Sequence, residues 1–272
     1  WTIGVYTQRE ITMRRKDGRA YDAALTVAPL HDARGERTGY VFSHQDITKF
    51  KALDRARSQF ITNVSHELRT PVTSIKLSTY LLQVERSPEK AATYLQALER
   101  QSLRLESLIQ DILEMVSLDS GQGVTSWEPL FLASIIGEAA TCYQRQADAR
   151  NITLAVQPVP PDLPAVKGDP FRLEQALKEV LENALIFTPS GGAVTIATAL
   201  TEAHGHPWVT LTVQDTGPGI AAEEKPKLFN RFFRGRLAES GHIPGTGLGL
   251  SIVYEIMRAH GGDVTVESEE GR

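Results

Sequence analysis

The feature that most constrains this 272-residue chain is a pair of apolar stripes at helical spacing between about Lys49 and Leu118. The first stripe steps by three or four residues and consists of Phe60, Val64, Leu68, Val72, Ile75, Thr79 and Leu82. The second recurs every seven residues at Leu98, Leu105 and Ile112, and it is flanked by Leu95, Leu108, Ile109, Met115 and Val116. Arg86-Ser87-Pro88 separates the two and predicts a tight helix–helix connection. Two such helices cannot bury these stripes alone, whereas two copies can in a four-helix bundle, so the pattern predicts a homodimer.

The rest of the chain divides into two regions with different patterns. Residues 1–46 alternate short β-rich runs with turns, and Asp17-Gly18 between apolar alternations predicts a β-hairpin. From about Ser126 onward, helix and strand patterns alternate, which predicts an α/β sandwich with helices on one side of a sheet. The predicted helices are residues 130–149, 170–187 and 249–259, and the predicted strands are residues 152–157, 193–200, 208–214 and 263–268. The segment 221–244 has little regular pattern, and a loop this long in a compact domain is usually functional.

Composition excludes several classes of protein. Hydrophobic residues make up 41% and charged residues 23%, as in folded domains with ordinary cores. The net charge of −4 gives no concentrated basic face, so nucleic-acid binding is not expected. Cys142 is the single cysteine, which excludes an internal disulfide and suits a reducing cytosol. Its position in an apolar-periodic run predicts a small core residue.

The chain also lacks the signals of membrane insertion and export. No run approaches the roughly 18 apolar residues that span a bilayer, and residues 1–10 do not resemble a signal peptide. The sequence opens without methionine in strand-like sequence and ends at Glu270-Gly271-Arg272 just after another predicted strand. We therefore expect a cytoplasmic fragment of a longer protein, whose membrane attachment, if any, lies outside this chain.

The heptapeptide that points most directly to chemistry is Ser65-His66-Glu67-Leu68-Arg69-Thr70-Pro71. At about 100° per residue, His66 lies roughly opposite the apolar stripe, and Thr70 shares its outward face. A lone histidine on such a face is usually a solvated polar residue. Pro71 favours a functional interpretation, because proline inside a helix costs about 3 kcal/mol and indicates a kink with a use.

Residues 60–71 resemble the H box of the sensor histidine kinases of two-component systems. The resemblance implies that His66 is the phosphoacceptor, that Glu67 helps to take the imidazole proton, and that Thr70 orients water for dephosphorylation of a partner. It further implies ATP-dependent autophosphorylation of His66, phosphotransfer to an aspartate in the receiver domain of a response regulator, and phosphatase activity toward that regulator.

Two glycine-containing motifs follow in the last third of the chain. Asp215-Thr216-Gly217-Pro218-Gly219 comes after a predicted strand, and Gly245-Thr246-Gly247-Leu248-Gly249-Leu250 opens the last predicted helix. Glycines there allow close backbone approach, and a helix N-terminus presents free N–H groups to phosphate. The second motif alone is weak. It is neither a P-loop, since no Gly-Lys-Ser/Thr follows, nor a convincing Rossmann turn, since a long loop precedes it.

Together with Leu181-Glu182-Asn183-Ala184, these motifs resemble the N, G1 and G2 boxes of the ATP-binding fold shared by histidine kinases, gyrase, Hsp90 and MutL. Phe229-Asn230-Arg231-Phe232-Phe233-Arg234 resembles the F box of the kinases. The resemblance implies that Asn183 coordinates Mg²⁺ and that Asp215 accepts a hydrogen bond from the adenine amino group. It implies a nucleotide site formed by Asn183, Asp215, Gly217, Gly219, Phe232, Gly245, Thr246, Gly247, Leu248 and Gly249, with ATP and Mg²⁺ as its ligands.

Two residues depart from the family pattern. Glu179 stands where an asparagine is frequent one turn before the metal ligand, and Ile186 stands where a lysine often reaches the phosphates. Arg231, Arg234 or Lys178 are candidates for the missing positive charge, and each is as readily interpreted as a solvated surface residue. The departures bear on affinity and rate more than on the fold.

The N-terminal region resembles the last strands of a PAS domain through Arg15-Lys16-Asp17-Gly18-Arg19, Asp32-Ala33-Arg34-Gly35 and Asp46-Ile47-Thr48. We therefore expect a multidomain α+β chain. Residues 1–48 would be a partial PAS-like β-sheet, 49–57 a helical linker, and 58–120 an antiparallel two-helix hairpin for dimerisation and phosphotransfer. Residues 126–272 would be an α/β sandwich ATP-binding domain of the histidine kinase, gyrase and Hsp90 type, lacking its last strand and exposing a sheet edge.

Two alternative functions compete with a kinase. Glu179 and Ile186 allow a degenerate kinase that binds ATP weakly or not at all and acts as a PAS-driven dimeric scaffold. An ATPase of the gyrase, Hsp90 and MutL type is the other alternative, and the exposed His66-Glu67 pair argues against it. The input signal, the cognate regulator and the choice between cis and trans autophosphorylation do not follow from the sequence.

Overall fold

The computed structural model describes residues 7–120, 124–203, 205–240, 243 and 245–271. These residues form two compact units that divide between His66 and Glu67, inside a long helix. Residues 1–6 of the predicted PAS-like segment, and Arg272, lie outside the described ranges. None of the helices in those ranges combines the length and the apolar character that a bilayer crossing requires.

The first unit contains a three-stranded antiparallel sheet in the order β1-β2-β3. Its strands are β1 (Thr7–Arg14), β2 (Ala20–His31) and β3 (Arg37–Asp46). The predicted hairpin joins β1 to β2. Gly18 adopts a φ of 83°, a left-handed conformation that glycine tolerates, and the amide of Arg19 donates to Asp17 Oδ1 at 2.9 Å.

Helix α1 (Thr48–Val84) begins directly after this sheet and is tied to it by side chains. Asp46 Oδ1 accepts a hydrogen bond from the amide of Thr48 at 3.0 Å, which satisfies one of the unpaired N–H groups of the first turn. Lys51 forms an ion pair with Glu10 of β1 at 2.7 Å. The start of the helix is therefore fixed against the sheet.

The two long helical patterns form the predicted hairpin. Helix α1 ends at Val84, and α2 (Pro88–Asp119) begins after Ser87, whose side chain accepts a hydrogen bond from the amide of Lys90. Pro88 suits the first helical position, because its missing N–H would have no helical partner there. The connection is therefore as short as Arg86-Ser87-Pro88 predicts.

The buried seam of the hairpin differs in detail from the predicted stripes. Pro71 and Ser78 of α1 and Leu108 and Met115 of α2 are buried, whereas Val72, a predicted stripe residue, is 39% exposed. Contact between two helices covers one line of side chains on each, so the rest of both stripes stays uncovered in a single chain. The exposed large apolar side chains between residues 58 and 120 are Ile61, Val72, Leu77, Tyr80, Val84, Leu95, Leu103, Ile109, Leu113 and Val116.

The remainder of the second unit is an α/β domain. Its elements are β4 (Glu128–Leu130), α3 (Leu132–Ala149), β5 (Thr153–Val156), β6 (Val166–Gly168), α4 (Pro170–Phe187), β7 (Ala193–Ala203), β8 (His206–Asp215), a 3₁₀ turn (Lys225–Lys227), α5 (Arg236–Ser240) and α6 (Gly249–Ala259). One sheet has the order β5-β7-β8, with β5 parallel and β8 antiparallel to β7. Strands β4 and β6 form a separate antiparallel pair.

The core of this domain lies between the sheet and helices α3 and α4. The two helices carry apolar residues at three- and four-residue spacing, and that spacing turns one face of each toward the sheet. The fully buried members include Ile136, Leu181, Leu185, Val194 and Ile196. The α/β sandwich is therefore the predicted fold, with helices on one side.

One prediction about this domain is wrong, and several short elements were not predicted. Residues 263–268 have the alternating exposure of a strand, but they pair with no strand within the described residues. The segment instead contacts the residues that follow Gly219. The amide of Ile220 donates a hydrogen bond to Ser268 Oγ at 2.9 Å. Strands β4 and β6 were not predicted, because three residues are too few for a recognisable alternation. The unpatterned segment 221–244 contains the 3₁₀ turn and α5.

Cys142 was predicted to be a core residue and is instead exposed. The face of α3 that packs on the sheet includes Ala139, Tyr143 and Ala147, which follow one another at four-residue spacing. Cys142 is one position away from Tyr143, and a shift of about 100° turns it out of the core.

Candidate functional site

His66 lies on an exposed face of α1, as the helical spacing predicts. Thr70 follows one turn later and is also exposed, whereas Glu67 is partly buried. A helix fixes the direction of its side chains, so His66 and Thr70 project from the same side of α1. The structure therefore presents the predicted phosphoacceptor, base and water-orienting residue within a little more than one turn.

Glu67 is tied to the second helix of the hairpin. Its Oε2 atom lies 3.4 Å from Arg104 Nη2 of α2, and each side chain is 32% exposed. A guanidinium at this distance restricts the rotamers of the carboxylate and balances its charge. The sequence analysis did not identify Arg104, because its partner lies 37 residues away along the chain.

Pro71 is buried within α1, and the helix runs through it without interruption from Thr48 to Val84. Proline has no N–H, so the helical hydrogen bond to the carbonyl of Glu67 is missing. The missing bond lies within one turn of His66. The sequence predicts a kink at Pro71. In the structure α1 is a single continuous helix through this residue, so Pro71 does not break it.

Helix α4 carries the predicted metal ligand, and its start is firmly held. Asp169 caps the helix by accepting a hydrogen bond from the amide of Arg172 at 3.3 Å. The same carboxylate accepts hydrogen bonds from the amides of Thr125 and Ser126 at 3.0 and 3.2 Å. His260 Nε2 accepts a hydrogen bond from the amide of Asp169 at 2.9 Å, a partner that the sequence analysis did not find.

Glu179 and Asn183 are one turn apart on α4 and converge on the start of α6. A Cβ atom on Gly249 would lie 2.3 Å from Glu179 Oε2 and 3.9 Å from Asn183 Nδ2, so both side chains reach this glycine and a larger residue would displace the Glu179 carboxylate. Two oxygen-bearing side chains beside a helix N-terminus form a donor set that suits Mg²⁺ bound to phosphate. The residues present therefore fit the predicted metal.

The same region carries an excess of negative charge. Burial raises the pKa of Glu179 to about 7, and repulsion from Asp111, Glu182 and Glu114 acts in the same direction. Burial also raises the pKa of Asp111, although a hydrogen bond from Thr246 opposes that effect. No ion pair of Glu179 occurs within the part of the chain that the structure describes. This environment favours a bound cation.

The predicted F box and G2 box are joined by their backbones. The amide of Phe232 donates to the carbonyl of Gly247 at 2.8 Å. Phe232 has a φ of 63°, which is unusual for a residue other than glycine, and Gly247 has a φ of 72°. A Cβ on Gly247 would lie 2.9 Å from the carbonyl oxygen of Phe233, so glycine is required at this close approach.

The predicted G1 box forms a tight turn after β8. Asp215 Oδ1 accepts a hydrogen bond from the amide of Gly217 at 2.7 Å. Gly219 has a φ of 74°, and a Cβ there would lie 1.9 Å from the carbonyl oxygen of Glu269. A shallow and mostly apolar cavity of about 380 Å³ lies beside this turn, lined by Phe187, Pro189, Thr216, Gly217, Pro218 and Gly271.

Helix α2 contacts the nucleotide motifs through acidic residues that the sequence analysis did not single out. Thr246 Oγ1 donates to Asp111 Oδ2 at 2.7 Å and accepts from the amide of Leu248 at 3.2 Å. Arg231 binds Asp119 through two hydrogen bonds of 2.8 and 2.5 Å. Gly245 precedes these contacts in an exposed position.

A third contact from α2 is an ion pair between Glu114 and Arg172, whose side chains are 10% and 12% exposed. It joins α2 to the first turn of α4. The three acids were not recognisable in the sequence because each partner lies more than 50 residues away along the chain.

The other candidate cations have partners away from the convergence of Glu179 and Asn183. Arg234 donates to the carbonyl oxygens of Ala238 and Ile243, which organises the loop around α5. Lys178 pairs with Glu174 on the same helix at 2.7 Å. Ile186 is partly buried. Arg231, which lies within the F box, pairs with Asp119 of α2 and with Glu255 of α6 at 3.5 Å.

Comparison with known proteins identifies two families along the chain. Residues 56–121 match the His Kinase A (phospho-acceptor) domain. Residues 168–272 match the family of histidine kinase-, DNA gyrase B-, and HSP90-like ATPases. These two segments contain His66 and the nucleotide motifs, respectively.

Curated relatives carry names of the same class. The sensor-like histidine kinase SenX3 of Mycobacterium tuberculosis is 31% identical over 95% of this chain and 62% of its own length. The sensor histidine kinase WalK of Bacillus subtilis is 30% identical over 88% of this chain and 39% of its own. The sensor protein GacS of Pseudomonas syringae is 34% identical over 83% of this chain and 25% of its own. The chain thus spans less than two thirds of these relatives.

Solved structures agree on the fold. ThkA, in a complex with the response regulator protein TrrA, matches 96% of this chain and 76% of its own with a TM-score of 0.63 at 22% identity. The histidine kinase AdeS of Acinetobacter baumannii matches 76% of this chain and 92% of its own, with a TM-score of 0.58 at 23% identity. ShkA in complex with AMPPNP matches 79% of this chain and 43% of its own, with a TM-score of 0.56 at 28% identity.

Proposed function

The chain belongs to the sensor histidine kinases of two-component systems, and we propose on that premise that it transfers the γ-phosphoryl group of ATP to His66. The phosphoryl group then passes from His66 to an aspartate of a response regulator. The observation that carries this proposal is the exposed position of His66 on α1, within the segment that matches the phosphoacceptor family. An acceptor must be accessible to a nucleotide and to a receiver domain in turn.

The residues beside His66 prepare it as a nucleophile. Glu67 takes the proton of one imidazole nitrogen, and the lone pair of the other nitrogen attacks the γ-phosphorus as ADP leaves. Arg104 holds the Glu67 carboxylate at 3.4 Å while this proton moves. Thr70, on the same face as His66, orients water when the phosphorylated regulator is dephosphorylated.

The nucleotide site is assigned to the convergence of α4 and α6. The side-chain oxygen of Asn183 would be the protein ligand for Mg²⁺, with the carboxylate of Glu179 beside it at Gly249. When bound, Mg²⁺ would neutralise the phosphate oxygens during phosphoryl transfer. The N-terminus of α6 would present backbone N–H groups to the phosphates, and Gly245, Gly247 and Gly249 allow the close approach that this requires.

The adenine is assigned to the apolar cavity beside the turn at Gly217. Asp215 accepts a hydrogen bond from its amino group, while the tight turn at Gly217 and Gly219 shapes the wall of the pocket. Phe232, Thr246 and Leu248 border the phosphate side through the F and G2 boxes.

We assign residues 58–120 to dimerisation and phosphotransfer, 126–272 to ATP binding, 49–57 to a helical linker and 1–48 to a PAS-like domain. The three-stranded sheet of the first unit supports the PAS-like assignment. The exposed apolar side chains of α1 and α2 support a homodimer with a four-helix bundle, since a second hairpin would cover them. A response regulator is the proposed second partner.

A catalytically weak scaffold is the second candidate function, and the environment of Glu179 is the observation that favours it. A carboxylate beside Asn183 adds negative charge where the triphosphate of ATP must bind. A chain that binds ATP poorly would act as a dimer whose PAS-like segment and hairpin carry the signal.

The test is incubation with γ-labelled ATP and Mg²⁺, followed by measurement of acid-labile, alkali-stable label. Wild type is expected to incorporate label, and both His66→Gln and Asn183→Ala are expected to reduce it to background. His44→Gln, which replaces another exposed histidine, is the matched control and is expected to label normally. A folded, dimeric wild type that takes up no label would contradict the kinase assignment and favour the scaffold.

A further inference from the structure

The glycine loop that opens α6 is held from outside the ATP-binding domain. Thr246 Oγ1 donates to Asp111 Oδ2 of α2 at 2.7 Å while it accepts from the amide of Leu248 at 3.2 Å. One hydroxyl therefore connects the first residues of α6 with the helical hairpin. Any movement of this loop around a nucleotide must change the contact with Asp111.

The contact between Asp111 and Thr246 is one of several contacts between α2 and the ATP-binding domain. Glu114 forms a largely buried ion pair with Arg172 of α4, and Asp119 binds Arg231 through two hydrogen bonds. Both ion pairs hold α2 close enough for Asp111 to reach Thr246. Three acids of one helix thus engage the first turn of α4, the F box and the glycine loop.

Electrostatics oppose the simultaneous presence of Asp111 and a triphosphate. Asp111 and Glu179 are both partly buried, and burial together with repulsion from neighbouring acids raises the pKa of each. The N-terminus of α6 attracts phosphate, and an additional carboxylate beside it reduces that attraction. Glu179 belongs to the ATP-binding fold itself, whereas Asp111 is on α2 of the helical hairpin.

We propose that Asp111 is a positioning residue that acts through Thr246 to lower the affinity of this domain for ATP. In the docked state α2 holds the glycine loop and adds a negative charge beside the phosphate-binding helix terminus. Nucleotide and α2 then compete for the loop, and any change in the hairpin that withdraws Asp111 increases ATP affinity. The coupling is reciprocal, so bound ATP weakens the docking of α2 by the same factor. This inference rests on the proposed function, which assigns ATP to this site.

The test is equilibrium binding of Mg-AMPPNP to the full chain by calorimetry, which does not depend on catalysis. Asp111→Ala removes both the charge and the acceptor and is expected to bind about tenfold more tightly, within the usual range of such couplings. Asp111→Asn keeps an acceptor for Thr246 without the charge, and about a threefold gain is expected. Glu106→Gln removes an exposed acid of the same helix and is expected to match wild type.

Two further readouts separate a positioning role from a general change in stability. The advantage of Asp111→Asn is expected to shrink as salt is raised from about 0.05 to 0.5 M, because screening removes the charge effect. In autophosphorylation, KM for ATP is expected to fall in both variants with kcat within about twofold of wild type.

Several results would overturn the inference. Wild-type affinity, or weaker affinity, in both Asp111 variants would show that α2 does not oppose the nucleotide. An equal gain in Glu106→Gln would attribute the effect to net charge and not to Asp111. If Asp111→Ala fails to fold, Asp111→Asn decides alone. If wild type binds Mg-AMPPNP and the Asp111 variants bind it with the same affinity, the inference fails and the proposed function stands. If neither wild type nor any folded variant binds Mg-AMPPNP, the inference and the proposed function both fail.

Discussion

Glu67 stands beside the predicted phosphoacceptor His66, Glu179 stands beside the predicted metal ligand Asn183, and the two glutamates have opposite surroundings. Glu67 follows His66 on α1, and Arg104 balances its charge at 3.4 Å. Glu179 precedes Asn183 by one turn on α4, and its neighbours are the acids Asp111, Glu182 and Glu114, which raise its pKa together with burial. The hairpin site is therefore nearly charge-balanced by its own side chains, and the nucleotide site is not.

This difference in charge balance determines what each site needs in order to bind its substrate. A balanced carboxylate beside an exposed histidine keeps its orientation and needs no further ion. A group of acids beside a helix N-terminus is compatible with a triphosphate only when a cation joins them, so metal and nucleotide are expected to bind together. Neutralising the acid should therefore have opposite consequences at the two sites.

Asp169 offers the sharpest contrast with Glu179, because it is buried and yet fully satisfied. Burial raises its pKa, but hydrogen bonds from Thr125, Arg172 and Ser126 outweigh that effect and lower the pKa below its ordinary 3.8. We expect Asp169→Ala to lower the free energy of unfolding by about 3 kcal/mol, since several hydrogen bonds to a charged acceptor are lost at once. Urea denaturation at pH 7 measures it.

The pH dependence of the Asp169→Ala variant provides the internal check. A lowered pKa stabilises the fold above about pH 4, and this stabilisation is lost as the pH falls through the folded-state value. The difference between wild type and variant should therefore shrink in acid. Asp162→Ala, at an exposed position in a loop, is the control. A loss below about 1 kcal/mol in Asp169→Ala would show that the capping network is dispensable.

Glu179→Gln is expected to raise stability, the reverse of the effect at Asp169. The folded-state pKa near 7 lies above the ordinary value of 4.5, so the folded protein binds the proton more tightly than the unfolded chain. Wild-type stability therefore falls as the pH rises from about 4.5 to 7, and the glutamine variant is free of that loss. We expect a gain of about 2 kcal/mol at pH 8 and little change at pH 5.

Thermal unfolding at the two pH values, without Mg²⁺ or nucleotide, measures the effect of Glu179→Gln. Glu202→Gln replaces an exposed acid on β7 and should change neither melting temperature by more than about a degree. Equal melting temperatures for wild type and Glu179→Gln at pH 8 would mean that the acid is not under electrostatic stress. The comparison between Glu67 and Glu179 would then fail.

The two regions also differ in how far the sequence predicts them. Helical spacing alone predicts the exposure of His66, and the cap at Ser87 with Pro88 marks the turn of the hairpin. Both features depend on residues within a few positions of one another. Helices α4 and α6 were predicted with the same bounds that the structure has, because caps and glycines mark their ends.

The parts that the sequence did not predict depend on contacts across long separations. Asp111 meets Thr246 across 135 positions, and Glu114 meets Arg172 across 58. Periodicity contains no information on which polar side chains meet when domains pack. Cys142 shows a second limit, since an apolar run around a helix does not fix the boundary of its buried face to within one residue.

Arg104 tests the balanced side of the comparison, with the smallest expected effect. Arg104→Gln keeps a hydrogen-bond donor without the charge and releases the restraint on Glu67. We expect the rate of His66 phosphorylation at saturating ATP to fall about tenfold, because a mobile base loses part of the contribution of general base catalysis. KM for ATP should not change, since Arg104 lies on the hairpin beside Glu67 and not among the nucleotide motifs.

Arg104→Lys restores the charge and should recover most of the rate, whereas Arg100→Gln, at an exposed position one turn earlier, should match wild type. A variant that loses rate and stability together, with no recovery by lysine, would identify Arg104 as a packing residue and leave Glu67 without its balancing charge.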